Sequence, residues 1–553
     1  MNIRLSSTSY LLSENRGWKF LEENHKILYS NFGEVFAYKK QKKDSKFCDI
    51  KIFFISDLVD IYLDNKNLSL KKIMDICNLI KRDLSTNKMP FLICVSSYEY
   101  FNIIENSKNK NLNEEIKQYF LNYLYKISKK FKNLYIIDID KIFADYGLKK
   151  CFDKRNYHLC RCRLSYFGIE ILSKNLKKIL DRINKPNQKI LLLDCDNTLW
   201  GGVIGEDGFD KILISNEGIG FAFYEFQKAV KKLKNQGVII VLLSKNNQED
   251  VLNVFKKKNM PLKLDDITAY KINWKEKSSN IIQISKDLNL GLDSFVFWDD
   301  NPLEREKVKL NLKQIKVIEP DQDISNWANQ LLEFEGFSRF YVTQSDINKT
   351  QQYKQRTKFI DNKTKFRNEN DYLKSIKLKP TIHELKSKNL DRTVQMFKKT
   401  NQFNLSSKRY DYKDIALMKN NYKFYLISLR DIYGDHGIIG LISLKIVKNN
   451  FVFVDSFLLS CRVLGRYLEN WILSKIFKIA KKNKSKSIFI EYKKTQRNNI
   501  TKDFLLKNGF KKIDNNLNKK YKNFFSSLMD KDSKLFTINT NKKIEKLNIY
   551  GSR

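Results

Sequence analysis

Histidine is scarce: the 553-residue chain has four. Its eight cysteines are Cys48, Cys77, Cys94, Cys151, Cys160, Cys162, Cys195 and Cys461, and none forms a paired CxxC pattern. Cys160 and Cys162 stand too close together for an ordinary zinc knuckle, and no histidine cluster completes a site. This cysteine usage fits a reducing compartment, so a cytoplasmic protein is expected. No run of about 18 apolar residues occurs, so no membrane span is expected. The opening MNIRLSSTSYLLSENRGWKF lacks the apolar core of a signal peptide. There is no internal repeat. Acidic residues are outnumbered 62 to 103, giving a formal net charge of +41. Such a charge invites a nucleic-acid reading. The lysines, however, are spread along the whole chain and far outnumber the arginines, and Asn and Ile are abundant, as in a protein from an AT-rich genome. No aromatic platform or recognition module accompanies them, so no specific nucleic-acid partner is expected.

What is present is apolar and patterned. Hydrophobic residues make up 42% and aromatics 13%, enough for several cores and too much for a disordered tail. The length suggests about two to four domains. In the first 180 or so residues, IKIFFISDLVDIYL, MPFLICVSSYEY and NLYIIDIDKIF read as strands alternating with helices, an α/β layer fold. ILSKNLKKILDRI is helical, and Pro186 ends it, placing a boundary near 184–188. KILLLDCD (189–196), VIIVLLS (238–244) and SFVFWDD (294–300) then read as buried parallel strands around the helix FYEFQKAVKKLKNQG, closed by Gly237. The stretch 321–378 is polar and helical. A third α/β unit carries FYLISLRD, GIIGLISLKIV, FVFVDSFLLS and SIFIEY as strands, with a helix from about 465 to 482. The fold class is α/β, in three domains at 1–183, 189–320 and 379–525, with a helical link at 321–378 and a tail at 526–553 whose last twenty or so residues are expected to fray.

The chemistry concentrates at the end of the first middle-domain strand, in Asp194-Cys195-Asp196-Asn197-Thr198. Ligands of open α/β sheets bind beyond the carboxyl ends of strands. Two carboxylates two residues apart can there share one centre, one attacking phosphorus and the other handling the leaving oxygen's proton. Alone, DxDxT is a weak string that solvated loop carboxylates would also produce. Three further pieces follow in order at strand ends or the loops after them. Ser244 can bond a phosphate oxygen, Lys277 can neutralise growing charge, and Asp299 with Asp300 offers hard oxygen ligands for Mg²⁺.

DCDNTLWGGVIGEDG, LLSKNNQED, INWKEKSSNI and FVFWDDNPLEREKV closely resemble the FkbH-like proteins of the haloacid dehalogenase superfamily, phosphatase subclass IIIC. The Trp200-Gly201-Gly202 extension is far more specific than DxDxT. The resemblance implies that Asp194 is the nucleophile, forming an aspartyl-phosphate, and that Asp196 is general acid and then base. Thr198 and Ser244 would orient the site and Lys277 stabilise it. Asp299 and Asp300, with Asp194 and the main chain at Asp196, would hold Mg²⁺. Asn301 and Glu304 read as helix-capping residues outside the site. The family also implies acyl transfer, in which a glyceryl group passes from a phosphorylated donor to the thiol of an acyl carrier protein. Glyceryl-transferring members often carry Cys where this chain has Thr198, which favours hydrolysis. Cys195 adjoins the nucleophile, but its strand position points it into the sheet.

The third unit resembles GNAT acyltransferases, with Arg462-Val463-Leu464-Gly465-Arg466-Tyr467 in the place of the pyrophosphate loop. The resemblance implies coenzyme A or an acyl-phosphopantetheine as cofactor, bound by Arg462, Gly465, Arg466 and Asn498. Tyr467 replaces the usual small residue, a departure that weakens the coenzyme A reading. TNQFNLSSKRY (400–410), DIYGDHGIIG (431–440) and FLLKNGF (504–510) extend the match. His436 is a candidate base that a solvated loop position would equally explain, and Cys461 is a candidate acyl acceptor. The N-terminal part resembles a degenerate SGNH-hydrolase-like domain through CFDKRNYHLCRCRLSYFG (151–168). Asp153 and His158 lack a nucleophile serine, so a scaffold or acceptor-binding role is expected.

The leading expectation is an enzyme that uses Mg²⁺ to dephosphorylate a small metabolite of glyceryl-phosphate type. It would then pass the acyl group to a carrier protein or sugar in secondary-metabolite or surface-glycan synthesis. The alternatives are a separate sugar-phosphate phosphatase and coenzyme-A-dependent N-acetyltransferase, and a non-enzymatic nucleic-acid-binding protein.

Overall fold

The computed structural model describes the chain apart from residues 1, 15, 32–33, 38–46, 60–65, 87–88, 99–111, 132, 185–187, 338–347, 364, 448, 496–497, 514–523, 526–527, 531, 543–548 and 551–553. The helix stop expected at Pro186 lies outside the described residues. The chain divides into two compact units, Met1–Pro186 and Asn187–Arg553.

In the first unit, strands β1 (Asn2–Ser7), β2 (Lys26–Tyr29), β3 (Cys48–Phe54), β4 (Phe91–Ser96) and β5 (Leu134–Asp138) form a parallel sheet of order β2-β1-β3-β4-β5. One face, with Phe53, Phe91 and Ile93, packs on the helices Lys66–Thr86 and Leu112–Ser128. The other, with Ile50, Ile52 and Leu92, packs on Tyr166–Asn184. A sheet covered on both faces needs apolar residues on both sides of each strand, which is why β3 and β4 read as near-continuous apolar runs. β1 and β2 escaped the sequence reading because NIRLSS is half polar and KILY is a half-exposed edge.

The second unit holds two sheets. Strands β6 (Ile190–Leu193), β7 (Ile239–Ser244), β8 (Ile267–Ile272), β9 (Phe295–Trp298) and β10 (Lys316–Val317) run parallel in the order β10-β9-β6-β7-β8. Strand alternation sorts them between two cores. Leu191, Leu193, Ile240, Leu242, Val296 and Trp298 face the helix Gly220–Asn235, while Ile190, Leu192, Val241 and Phe297 face Lys277–Leu288. β6 lies centrally, so its carboxyl end opens between β7 and β9.

The other sheet is mixed. It comprises β11 (Lys379–Glu384), β12 (Phe403–Asn404), β13 (Lys423–Asp431), β14 (Gly434–Val447), β15 (Phe451–Leu459), β16 (Ser487–Tyr492), β17 (Lys511–Lys512) and β18 (Lys534–Asn539), ordered β11-β13-β14-β15-β16-β18-β17 with β12 on β15. β15 and β16 pair in parallel and are joined by the helix Leu468–Lys482, while the other pairs are antiparallel.

The stretch 321–378 does more than link. Trp327 and Leu331 fill the core on one face of the β6–β10 sheet, Tyr353 joins the core on its opposite face, and Phe359 and Tyr372 fill the core of the mixed sheet. The fraying expected of the last twenty or so residues is corrected in part. β18 pairs along β16, because Leu535, Phe536 and Ile538 are apolar and buried, and Ile549 is buried in the same core as Phe536. Phe536→Ala should therefore cost about 3–5 kcal/mol in denaturant unfolding. A frayed tail would give under about 0.5 kcal/mol.

Candidate active site

β6 ends in Asp194, whose backbone N–H donates to the Trp298 carbonyl on β9 (3.2 Å), tying two of the carboxylate-bearing strand ends together. The loop then turns sharply. Asn197 takes a left-handed φ of 51° and accepts from the Gly202 N–H at 2.8 Å. The glycines are required here. A Cβ on Gly201 would meet the Phe223 ring at 2.8 Å, and Gly202 has φ 94°. Trp200 is fully buried, and its indole N–H donates to Asp196 Oδ1 at 2.9 Å. The Trp-Gly-Gly extension is thus the mould that aims the second carboxylate.

Asp194, Asp299 and Asp300 each present one oxygen within 4.8 Å of the others. Lys277, from the start of the helix Lys277–Leu288, lies between the first two, 3.1 Å from Asp194 Oδ2 and 2.5 Å from Asp299 Oδ2. Burial alone would lower the Lys277 pKa, but the charges of Asp194 and Asp299 outweigh it and the net shift is upward. For Asp299, burial and the Asp194 charge outweigh Lys277 and push the carboxyl up to about 7. Burial and the Asp194 charge also raise Asp300. Three carboxylates thus face one ammonium, and Asp194 Oδ1 is buried with no hydrogen-bond partner. Hard oxygen donors in excess of positive charge suit a divalent cation such as Mg²⁺.

Thr198, fully buried, donates to Asp300 Oδ1 at 3.0 Å and accepts from the Asp300 N–H at 3.3 Å. It braces a candidate metal ligand. Asp196 stands apart from the three-carboxylate cluster. Its Oδ1 accepts from Trp200 and from the Ile204 N–H (3.3 Å), and its Oδ2 accepts from Asn246 at 2.7 Å. The Asp196 side chain is therefore not among the clustered metal ligands, because three donors already hold it. Burial, followed by the charge of Asp194, raises its pKa against those hydrogen bonds. Ser244 is buried at the end of β7. Cys195 is fully buried on the apolar face of the sheet, and burial drives its thiol pKa far up, which removes it as a nucleophile.

Sequence reasoning missed Asn246, although it lies two residues beyond Ser244 in LLSKNNQED. It also missed Arg305, whose Nη1 donates to the carbonyls of Asp299 (2.8 Å) and Asp300 (2.6 Å). Asn301 caps the helix Pro302–Asn311 as expected, whereas Glu304 pairs with Lys245 at 2.8 Å.

Around the second glycine loop the structure corrects several assignments. Arg466 is fully buried, 3.3 Å from Asp431 and 3.9 Å from the Phe359 ring centroid. Asn498 is fully buried and spends its amide on the carbonyls of Asn404 (2.9 Å) and Lys493 (2.8 Å) and on the Thr495 N–H (2.8 Å). Neither is available to a cofactor. Gly465, φ 88°, does border a cavity of about 390 Å³, but that cavity also takes in Glu469 and Asp503 against Lys507 alone. Glu469 occupies the amino end of the helix Leu468–Lys482, where a pyrophosphate would sit. These residues do not fit a coenzyme A pyrophosphate. Arg462 lines a different cavity. His436 is neither solvated nor free as a base, since it is buried 2.9 Å from Asp431. In the first unit, Asp153 caps the helix Lys154–Cys160 and His158 is exposed, so no hydrolytic pair forms.

No family model matches the chain, and no curated protein matches it. Among solved structures, the N-terminal part of protein BF1531 from Bacteroides fragilis, containing a phosphatase domain and complexed with Mg, is 28% identical, with TM-score 0.52, covering 62% of this chain and 94% of that one. A GNAT-family acetyltransferase from Staphylococcus aureus Mu50 is 15% identical over 30% of this chain and 100% of its own, with TM-score 0.23. One from Elizabethkingia anophelis with acetyl-CoA bound is 14% identical over 29% and 97%, with TM-score 0.21. The β6–β10 sheet with its strand-end carboxylates is a haloacid-dehalogenase-type phosphatase fold.

Thr198→Ala should weaken Mg²⁺ binding by about 10–100-fold, measured by calorimetric Mg²⁺ titration, because Asp300 loses its brace. An unchanged Mg²⁺ affinity would contradict that role.

Proposed function

We propose that the second unit is a Mg²⁺-dependent phosphatase of small phosphorylated metabolites, with Asp194 as nucleophile. The observation that carries this reading is the Lys277 bridge, which gathers Asp194 and Asp299 from separate strand ends beside Asp300. Asp194, Asp299 and Asp300 would hold the ion, which when bound supplies charge stabilisation for the phosphoryl oxygens. Asp194 attacks phosphorus and forms an acyl phosphate. Asp196, held by Trp200, Ile204 and Asn246, gives its proton to the leaving oxygen. The same carboxylate then takes a proton from the water that hydrolyses the intermediate. Lys277 keeps the nucleophile oriented and balances charge on the phosphoryl group. Ser244, buried at the end of β7, would bond a phosphate oxygen. Thr198, where thioester-forming relatives often carry Cys, favours water as the acceptor.

An acyl-transfer role for the mixed-sheet domain, passing a glyceryl-type group to a carrier protein or sugar, rests on its motif resemblance. It is supported by the parallel β15–β16 pair joined through the helix Leu468–Lys482. Arg466 and Asn498 are spent on Asp431 and on main-chain carbonyls and do not hold coenzyme A or acyl-phosphopantetheine. Among the described residues no helix is long and apolar enough to cross a membrane.

With p-nitrophenyl phosphate and a panel of phosphorylated metabolites, Asp194→Asn should reduce Mg²⁺-dependent phosphate release by about 10³-fold or more. Chelation should abolish the wild-type rate, and turnover retained in the variant would overturn the assignment. Asn246→Ala, which frees Asp196, should lower kcat by about 10²-fold with KM little changed. A rise in KM alone would place Asn246 in substrate binding instead. Intact-mass measurement of an acyl carrier protein incubated with a glyceryl phosphate donor tests the acyl-transfer part. Phosphate release without an adduct removes it.

A further inference from the structure

One cavity lies away from the phosphatase centre. Its volume is about 490 Å³, within the range of small-molecule sites. Lys189, which precedes β6, and Ser294, which precedes β9, border it, so it opens at the amino ends of strands whose carboxyl ends carry Asp194 and Asp299. Its other wall is the mixed-sheet domain, through the end of β15 at Leu459, the turn at Cys461 and Arg462, and the loop after the helix Leu390–Lys399.

The described lining is mostly basic. Among the described residues, Lys189, Lys349, Arg392 and Arg462 line it with one acid, Asp293. Arg462 is 7% exposed. Its Nη groups are held by the Gln352 side-chain oxygen and the His436 carbonyl, neither of them a carboxylate, and its Nε has no hydrogen-bond partner among the described residues. A guanidinium buried without a counter-charge is costly and favours an anion beside it. Gln402 Oε1, in the same lining, is buried without a donor. An acceptor left open next to a cationic wall calls for a hydroxyl on the same ligand. Leu290, Leu292 and Met396 supply apolar floor for a short carbon skeleton.

We propose that this cavity is a second small-molecule site, separate from the phosphatase centre, that takes a small hydroxylated organic anion. The anionic group lies toward Arg462 and Lys349, and a hydroxyl donates to Gln402. Phosphate and carboxylate share the chemistry these cations recognise, and the test separates them.

Cys461 provides the readout. It borders the cavity, and among the described residues it and Cys160 are the two cysteines not fully buried. Iodoacetamide labelling of the full chain, followed by peptide mass mapping, gives the alkylation rate of each. Glycerol 3-phosphate or malate, at about ten times its Kd, should slow Cys461 alkylation about tenfold and leave Cys160 unchanged. Protection by the first identifies a phosphate ligand, and protection by the second a carboxylate. Lys349→Gln should weaken that protection about tenfold with phosphate release unaltered, while Asp194→Asn should keep the protection. Equal protection by glycerol, parallel protection of Cys160, no protection by either anion at about 10 mM, or an unchanged Kd in Lys349→Gln would each overturn the proposal.

Discussion

One buried ammonium organises the catalytic half of this molecule. Asp194 and Asp299 end neighbouring strands in a nearly dry setting, where their like charges repel. Lys277 stands between them and is itself held charged by both. The apolar sheet beneath brings the carboxylates close, and the lysine makes that closeness tolerable without cancelling it. The remaining negative charge is what suits the site to a divalent cation. Supports behind this trio follow the same logic: Thr198 braces Asp300, and Arg305 pins the carbonyls of Asp299 and Asp300.

The two ends of the β6–β10 sheet have different tasks. The carboxyl ends hold acids, and the amino ends meet the mixed-sheet domain around a basic cavity. The helix Lys349–Lys363 contributes to both cores. Tyr353 enters the phosphatase-side core, Phe359 enters the mixed-sheet core, and Arg356 donates to the carbonyls of Asp287 (2.8 Å) and Cys461 (3.1 Å). A residue stretch with little apolar content of its own is ordered because a few aromatic side chains are shared between two cores.

Legibility tracked burial symmetry. Strands buried on both faces, such as β6, β7, β9 and β15, stood out as apolar runs, whereas β8, with its partly exposed face, and the edge strands β2 and β10 did not. β18 was hidden in a lysine- and asparagine-rich tail, because Leu535, Phe536 and Ile538 stand out only once β16 is there to receive them. At the site, the reading of Asp194 and Asp299 rested on strand ends and that of Lys277 on the stretch after a strand, properties local to each segment. Asn246 and Arg305 act across loops and could be assigned only after the loops met.

The order of acids, hydroxyls and lysine along the chain determined the kind of chemistry, since parallel strands place their carboxyl ends on one side whatever their loops do. Only the tertiary structure decided which polar groups remained free to act. Arg466, His436 and Asn498 look like ligand-binding residues in one dimension. In three, Asp431 binds the arginine and the histidine, and main-chain carbonyls bind the asparagine. A side chain's availability depends on partners that can lie 35 or 94 residues away, and hydrogen bonds satisfied inside the fold cannot also hold a ligand.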